Sequence, residues 1–315
     1  MTQSKILVVG STNTDMVIKT KRLPRAGESV VGDTFFMNPG GKGANQAVSI
    51  ARLGGSVTFI CKTGSDIFGH QSQQLFEKEG IDTSYIFSDN HNPSGVALIT
   101  VDEQAENCIV VALGANANLR PQDLSLATEA IHQADIILMQ LEIPMETVEY
   151  VADIAFRADK KVIINPAPAP AHPLSLSLLQ RLYIITPNET EAEMISGVKI
   201  TDNDSAIAAA RAIAAMGVKN VVLTLGAKGA LIYAEANEEN EESMIEFIPA
   251  FKVNAVDTTA AGDVFNGGLT LAISEGRSLK EAVRFACKVA AISVTRQGAQ
   301  SSAPYRNEVD VFFEL

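Results

Sequence analysis

The sequence predicts a doubly wound α/β fold: a mainly parallel sheet flanked by helices on both faces, with a separate small β-sheet beside it. Three observations predict this. From Val57 onward, short apolar runs alternate with helix-patterned segments in a strand–turn–helix rhythm, which argues for parallel strands joined by helical crossovers. Two pairs of alternating segments do not fit that rhythm and read as hairpin-like strands of their own. No fixed-period repeat interrupts the pattern.

The first strand is Lys5-Ile6-Leu7-Val8-Val9, ending at Gly10. Ser11-Thr12-Asn13-Thr14-Asp15 follows at its carboxyl end, where open α/β sheets place ligands. Asn13 and Asp15 either turn polar side chains toward ligand hydroxyls or form an Asx-type turn. The single Gly10 is not a dinucleotide fingerprint, which needs further glycines opening a helix. Residues 16–19 and 29–37 alternate as strands around Pro24-Arg25-Ala26-Gly27. Residues 95–101 and 107–113 form a second such pair, joined by a polar turn, so the four read as one small sheet with the character of a lid. Between them, Pro39-Gly40-Gly41-Lys42-Gly43-Ala44-Asn45-Gln46-Ala47 leads into a helix ending near Leu53-Gly54-Gly55. Its glycines allow close backbone approach to a ligand, and Lys42 and Asn45 supply a cation and an amide. It is not a Walker A loop.

The βα rhythm then runs strand 57–61 and helix 68–79, strand 135–140 and helix 145–158, strand 161–165 and helix 174–179. Ile184-Ile185 leads into helix 189–196, a longer helix covers about 205–216, and strand 221–225 ends at Gly226. Segment 235–246 is strongly acidic and reads as a solvated hairpin tip. Residues 251–256 make an apolar, strand-like approach to a helix-patterned stretch containing Phe265, Leu269 and Ile273.

Composition limits the partners. At 315 residues the chain is long enough for a large core. Its formal net charge is −12, with pI about 4.9 and scattered Lys and Arg. No nucleic-acid surface is expected, and a phosphate ligand must be held by local devices against the global field. Cys61, Cys108 and Cys287 are far apart in apolar runs and read as reduced, buried thiols of a cytoplasmic protein. The apolar start is too brief for a signal-peptide core, and no run approaches the ~18 residues of a membrane span. Four His without H-E-x-x-H spacing argue against a His-bound zinc site, and no G-x-S-x-G elbow is present.

The chemistry concentrates in Asp257-Thr258-Thr259-Ala260-Ala261-Gly262-Asp263-Val264-Phe265-Asn266-Gly267-Gly268. Ala260, Ala261 and Gly262 have almost no side chain, so their amides at a helix start form an anion hole. Asp263 follows, close enough to take a proton from a ligand held there; alternatively it is an Asp suited to a helix N-terminus. Glu142 ends the 138–142 segment, as a hydroxyl-binding carboxylate or as a surface residue before Pro144. Asn188 and Glu191 open a helix, where a carboxylate is also ordinary capping chemistry. Thr224-Leu225-Gly226-Ala227-Lys228-Gly229 is at minimum a tight turn between strands.

These segments resemble, in the same order and from Gly10 to Ser302, the ribokinase branch of the pfkB carbohydrate kinases. The resemblance rests most on Asp257 to Gly268, on Gly-Gly-Lys-Gly-Ala-Asn at 40–45, and on Gln140-Leu141-Glu142. It implies a ribokinase-like fold in one kinase domain over 1–315, with a β lid from about 12–40 and 94–113. It further implies ATP-dependent phosphorylation of D-ribose at the 5-hydroxyl, with Asp263 as general base and Ala260, Ala261 and Gly262 as the anion hole. Asn13, Thr14, Asp15, Gly41, Lys42, Gly43, Ala44, Asn45 and Glu142 would hold the sugar, together with Asp263. Asn188, Thr224, Leu225, Gly226, Ala227, Lys228, Gly229, Gly262 and Asp263 would meet ATP, with Cys287 standing where the family often has a His near adenine.

Asn188 and Glu191 would place Mg2+ through water. Asp257, Thr259, Ser293, Arg296, Gly298 and Ser302 would supply oxygens to K+. A homodimer through the lid is expected. The alternatives are a related kinase for deoxyribose, fructose or adenosine, and a non-catalytic sugar or nucleotide sensor.

Overall fold

Strand β1 (Lys5–Val9) is apolar on both sides, and its residues divide between two cores: Ile6 and Val8 pack into one, Leu7 and Val9 into the other. A strand buried on both faces must lie inside a sheet covered by helices, and β1 has parallel neighbours on each side. The computed structural model describes residues 4–104, 106–235 and 243–312. After β1 the chain makes β2 (Asn13–Lys19) and β3 (Thr34–Gly40), then returns through β4 (Ser56–Gly64) and β5 (Ile86–Asp89). It leaves again for β6 (Gly95–Val101) and β7 (Asn107–Ala112). Then follow β8 (Ile136–Met139), β9 (Lys161–Ile164), β10 (Ile184–Ile185), β11 (Asn220–Thr224), β12 (Gly229–Ala234) and β13 (Met244–Pro249).

The large sheet runs β13-β12-β11-β10-β9-β8-β1-β4-β5. It is parallel from β11 to β5 and antiparallel at the β12–β13 edge. The chain moves outward from β1 first toward β4 and later toward β8, so the carboxyl end of β1 is the topological switch point. The small sheet runs β3-β2-β6-β7, with β2 and β6 parallel and the outer pairs antiparallel. Its register aligns Met37, Met16, Leu98 and Val110 in one row and Asn38, Asp15, Ala97 and Val111 in the next. The two rows lie on opposite faces because side chains alternate along a strand.

Several expectations need correction. The second lid strand covers Thr34–Gly40, not 29–37. Alternation does not set register, and pairing Asn13 with Gly40 ends the ladder at Lys19 opposite Thr34, with only the Asp33 amide reaching on to the Lys19 carbonyl. Residues 251–256 form no strand; β13 already occupies the place beside β12, and the Val256 and Asp257 amides both donate to the Val294 carbonyl. In the acidic segment Met244, Ile245 and Glu246 pair within β13, while 236–242 lie outside the described residues. The helix expected at 174–179 is Leu176–Leu179, started by the Ser175 hydroxyl accepting the Leu178 amide. Cys61 and Cys287 are buried, but Cys108 is exposed because β7 belongs to the thin small sheet and not to a two-sided core. No helix among the described residues is long and apolar enough to cross a membrane.

Candidate active site

The site forms where β1 and β8 end and the helix Lys42–Arg52 begins. Gly41 caps that helix with φ +90°, and a Cβ there would lie 2.6 Å from the Thr12 Cα and 2.7 Å from the Asn13 nitrogen. Only glycine fits so close a crossing at that backbone angle. Glu142 reaches across from the end of β8: its Oε2 accepts the Ser11 hydroxyl at 2.5 Å and the Lys42 amide at 3.0 Å. It therefore caps the helix from a distant part of the chain, satisfying one first-turn amide with a carboxylate. The surface-residue reading of Glu142 is set aside. Asn13, Asn45 and Asp263 are buried at the same place.

Asp263 sits in the first turn of the helix Ala261–Ser274 and is 6% exposed. Its Oδ2 accepts the Asn45 Nδ2 at 2.9 Å, and its Oδ1 accepts the Gln46 Nε2 at 3.0 Å. Because a carboxylate only accepts, both amides must present their NH2 ends. Gln46 Oε1 then accepts the Gln140 Nε2 at 2.6 Å, and Gln46 Nε2 also donates to Asn165 Oδ1 at 3.2 Å. Asn165 donates to the Thr186 carbonyl, Thr186 to Asn266, and Asn266 to the Gly262 carbonyl. A directed amide chain thus runs from β8 to the carboxylate and round to the helix that carries it. Asn45 Oδ1 is buried without a partner among the described residues. Since buried acceptors are costly when unpaired, that atom fits a ligand hydroxyl.

The charges are crowded. Asp15 is pushed up to about 6, first by burial and then by the negative Glu142 and Asp263. Lys42 is raised by Asp263 against the effect of burial, with Glu142 and Glu191 adding to the rise. Glu191 is raised by burial, although the Asn188 amide and Lys42 pull it down. Four carboxylates and one ammonium therefore share one partly dry space, where each charge acts more strongly than in water.

A cleft of about 710 Å³ opens beside this space, lined by Asn188, Thr224, Gly226, Ala227, Gly229, Thr258, Gly262 and Cys287 among others. Leu225 and Lys228 do not line it: Leu225 packs into the core, and Lys228 pairs with Glu189 at 3.6 Å. Burial pushes the Cys287 thiol up to about 12. Asn188 and Glu191 form a reciprocal capping box, at 2.8 and 2.9 Å, so the capping reading holds for this pair. At the helix start Ala260 has φ +58°, and a Cβ on the exposed Gly262 would meet nothing within 4 Å. The Gly262 amide belongs to the first-turn donors a helix leaves unpaired. Of the three expected anion-hole amides, that of Ala261 is instead taken by the Thr258 carbonyl at 3.2 Å, closing the turn that Ala260 makes.

Asp257, Thr259 and Gly298 come together. Asp257 Oδ1 accepts the Thr259 amide and hydroxyl at 2.9 and 2.6 Å, and Oδ2 accepts the Gly298 amide at 2.8 Å. Burial alone would raise Asp257, but these donors outweigh it and hold the group below the usual carboxylate range. Ser293 and Ser302 meet each other at 3.3 Å, fully buried. The Arg296 guanidinium is paired with Glu308 at 2.7 Å, so its carbonyl is the group left for a cation.

Comparison with known proteins points the same way. The family profile described as pfkB family carbohydrate kinase matches residues 3–306. The chain is 45% identical to the ribokinase of Haemophilus influenzae, over 98% of both sequences. It is 36% identical to the deoxyribokinase of Salmonella typhi, over 98% of this chain and 99% of that one. Among solved structures it is similar to Arabidopsis thaliana ribokinase complexed with ribose and ATP, with TM-score 0.90, 31% identity and 100% of both chains covered.

The amide chain generates a prediction. Gln46→Leu keeps bulk but removes a donor to Asp263, so kcat should fall about tenfold, with KM values changed much less. Steady-state kinetics on the folded variant decide it; unchanged kcat would remove Gln46 from the positioning of Asp263.

Proposed function

Because the chain belongs to the pfkB family of carbohydrate kinases, we propose that it transfers the γ-phosphoryl group of ATP to the 5-hydroxyl of D-ribose. The observation that carries this reading is Asp263: a buried carboxylate, gripped on both oxygens, at the first turn of a helix whose second residue opens on the cleft. The ribokinase relatives, one solved with ribose and ATP, support the choice of sugar and donor. A 2-deoxyribose substrate is the second reading, supported by the deoxyribokinase relative.

In this reading Asn13, Asp15, Asn45 and Glu142 hold sugar hydroxyls, and the unpaired Asn45 Oδ1 takes one as acceptor. Lys42, among Asp263, Glu142 and Glu191, balances part of their charge. The 5-hydroxyl gives its proton to Asp263 as it attacks the γ-phosphorus. The Gly262 amide and the helix dipole stabilise the equatorial phosphoryl oxygens. Phosphoryl transfer needs positioning and electrostatic stabilisation, and no covalent nucleophile is required. ATP lies in the cleft between Gly226–Gly229 and Cys287.

Two ions fit the donors present. Glu191, 5% exposed beside the cleft-lining Asn188, suits magnesium held mainly by phosphates and water. Magnesium, when bound, offsets charge between the phosphates. Asp257, Thr259, Ser293, Gly298, Ser302 and the Arg296 carbonyl form an oxygen-rich turn suited to potassium. Potassium, when bound, orders the residues that lead into the anion hole.

The small sheet is the lid. Asp15 lies on one face of it; the other bears Ile18, Phe35, Met37, Leu98 and Val110, between 42% and 62% exposed. An apolar face of this kind calls for a cover, and a second lid supplies it in a homodimer.

Two outcomes check this function. Asp263→Asn should lower kcat by about 10²-fold or more, the usual worth of a general base; near-normal turnover would exclude that role. Asp15 offers sugar hydroxyls a charged acceptor on both oxygens only while ionised, and protonation turns one oxygen into a donor. With its pKa near 6, the sugar KM should rise as pH falls below about 6, by up to about tenfold per unit. Asp15→Asn should flatten that limb, and a limb that persists would assign the titration to another group.

A further inference from the structure

Asn116 lies outside every contact described so far. It is 0% exposed, in the short turn Gly114–Asn118 that follows β7. Its Oδ1 accepts the Thr12 amide at 2.9 Å. Its Nδ2 lies 3.0 Å from the Thr12 carbonyl, 3.0 Å from the Leu113 carbonyl and 2.8 Å from Asn13 Oδ1. A backbone N–H only donates and a backbone carbonyl only accepts, so Thr12 and Leu113 settle which end of the Asn116 amide is which. That in turn settles Asn13. The atom facing the Asn116 NH2 must be an acceptor, so Asn13 turns its oxygen to Asn116 and its NH2 to the opposite side.

The same amide sits at the joints of the lid. Thr12 and Asn13 carry the chain from β1 into β2, and Leu113 carries it out of β7. Gly95, the first residue of β6, closes over the pair: a Cβ there would lie 2.1 Å from Asn13 Oδ1 and 2.3 Å from Asn116 Nδ2. Three of the four connections between the two sheets therefore meet at one buried side chain.

We propose that Asn116 is a positioning residue that determines which end of the Asn13 amide meets the sugar. The proposal rests on the sugar-kinase reading. Asn13 then offers a hydrogen-bond donor, while Asp15, two residues along the same strand, offers an acceptor. The site demands one hydroxyl that accepts and one that donates, and their spacing is tied to the lid connections through Asn116.

Asn116→Asp keeps size and the acceptor for Thr12, but places an oxygen against three acceptors. Asn13 then relieves the conflict by turning over, presenting its oxygen to the sugar. The sugar KM should rise about tenfold, with KM for ATP changed less than about twofold. In an Asn13→Ala background the same substitution should add less than about twofold, because its path runs through Asn13. Equal rises in both backgrounds would overturn the proposal, as would no rise in a folded Asn116→Asp.

A second variant does not disturb Asn116. Asn13→Asp keeps the bond from the Asn116 NH2 and replaces the donor facing the sugar by an acceptor. It should weaken ribose binding at pH 8 as strongly as Asn13→Ala; wild-type affinity would overturn the proposal. If the unmodified protein does not phosphorylate ribose, the functional reading fails by itself. The positioning claim is then decided by side-chain amide signals in a 15N spectrum. Asn116→Asp must shift the Asn13 NH2 signal, and an unmoved signal would contradict the claim.

Discussion

Two consecutive amides on one helix hold both oxygens of one carboxylate on another. The grip of Asn45 and Gln46 on Asp263 joins the N-terminal ends of the helices Lys42–Arg52 and Ala261–Ser274. A hydrogen bond to a charged group contributes about 1.5–3 kcal/mol, and here two of them converge on a buried carboxylate. The helices stay in step further down, where the Ser49 hydroxyl donates to the Val264 carbonyl at 3.3 Å. Because Gly41 caps the first helix, which begins at Lys42, and the second carries Gly262, the one junction sets the proposed sugar residues against the proposed anion hole. Gln140 and Asn165 support it from the ends of neighbouring strands, so the Asp263 carboxylate is tied to the sheet as well as to its own helix.

Around that junction the two sheets have different duties. The large sheet is buried on both faces and provides a fixed edge at β1 and β8. The small sheet is thin, with an outward apolar face and Asp15 on the other. Three of its connections gather at Asn116 beside Asn13, so any change in its angle is felt first at Asn13, a sugar residue in the proposed function. In the proposed function, water exclusion during transfer and suppression of idle ATP hydrolysis would follow from closure of this small sheet over the site.

Much of this could be read from the chain. The βα rhythm gave the large sheet, because period and punctuation are local properties. Gly41, Asn45 and Asp263 stood out because glycines that allow close backbone approach, and small residues at a helix start, sit beside polar side chains in segments that resemble the family's. The bounds of the strand expected at 29–37, of which 34–37 lie in β3, and the strand expected at 251–256 were missed for a common reason: alternation shows that a segment suits a strand, but pairing depends on which partner lies beside it. Cys108 was misjudged because an apolar run in a thin sheet has a wet face. Gln46, Gln140 and Asn165 were passed over although the first two lie inside segments already singled out. Their roles depend on a carboxylate more than two hundred residues from Gln46, and nothing in their spacing signals it. Asn116 is the extreme case, an ordinary turn residue whose meaning appears only when three connections close over it.

The central claim is ATP-dependent phosphorylation of ribose at a site built around Asp263. ADP release from the purified protein with Mg-ATP tests it most directly, across ribose, 2-deoxyribose, fructose and adenosine, each in potassium and in sodium. The account predicts the highest kcat/KM with ribose, greater in potassium than in sodium. A clear preference for another acceptor would contradict the ribose assignment. Ribose binding without ADP release would contradict the catalytic reading of Asp263.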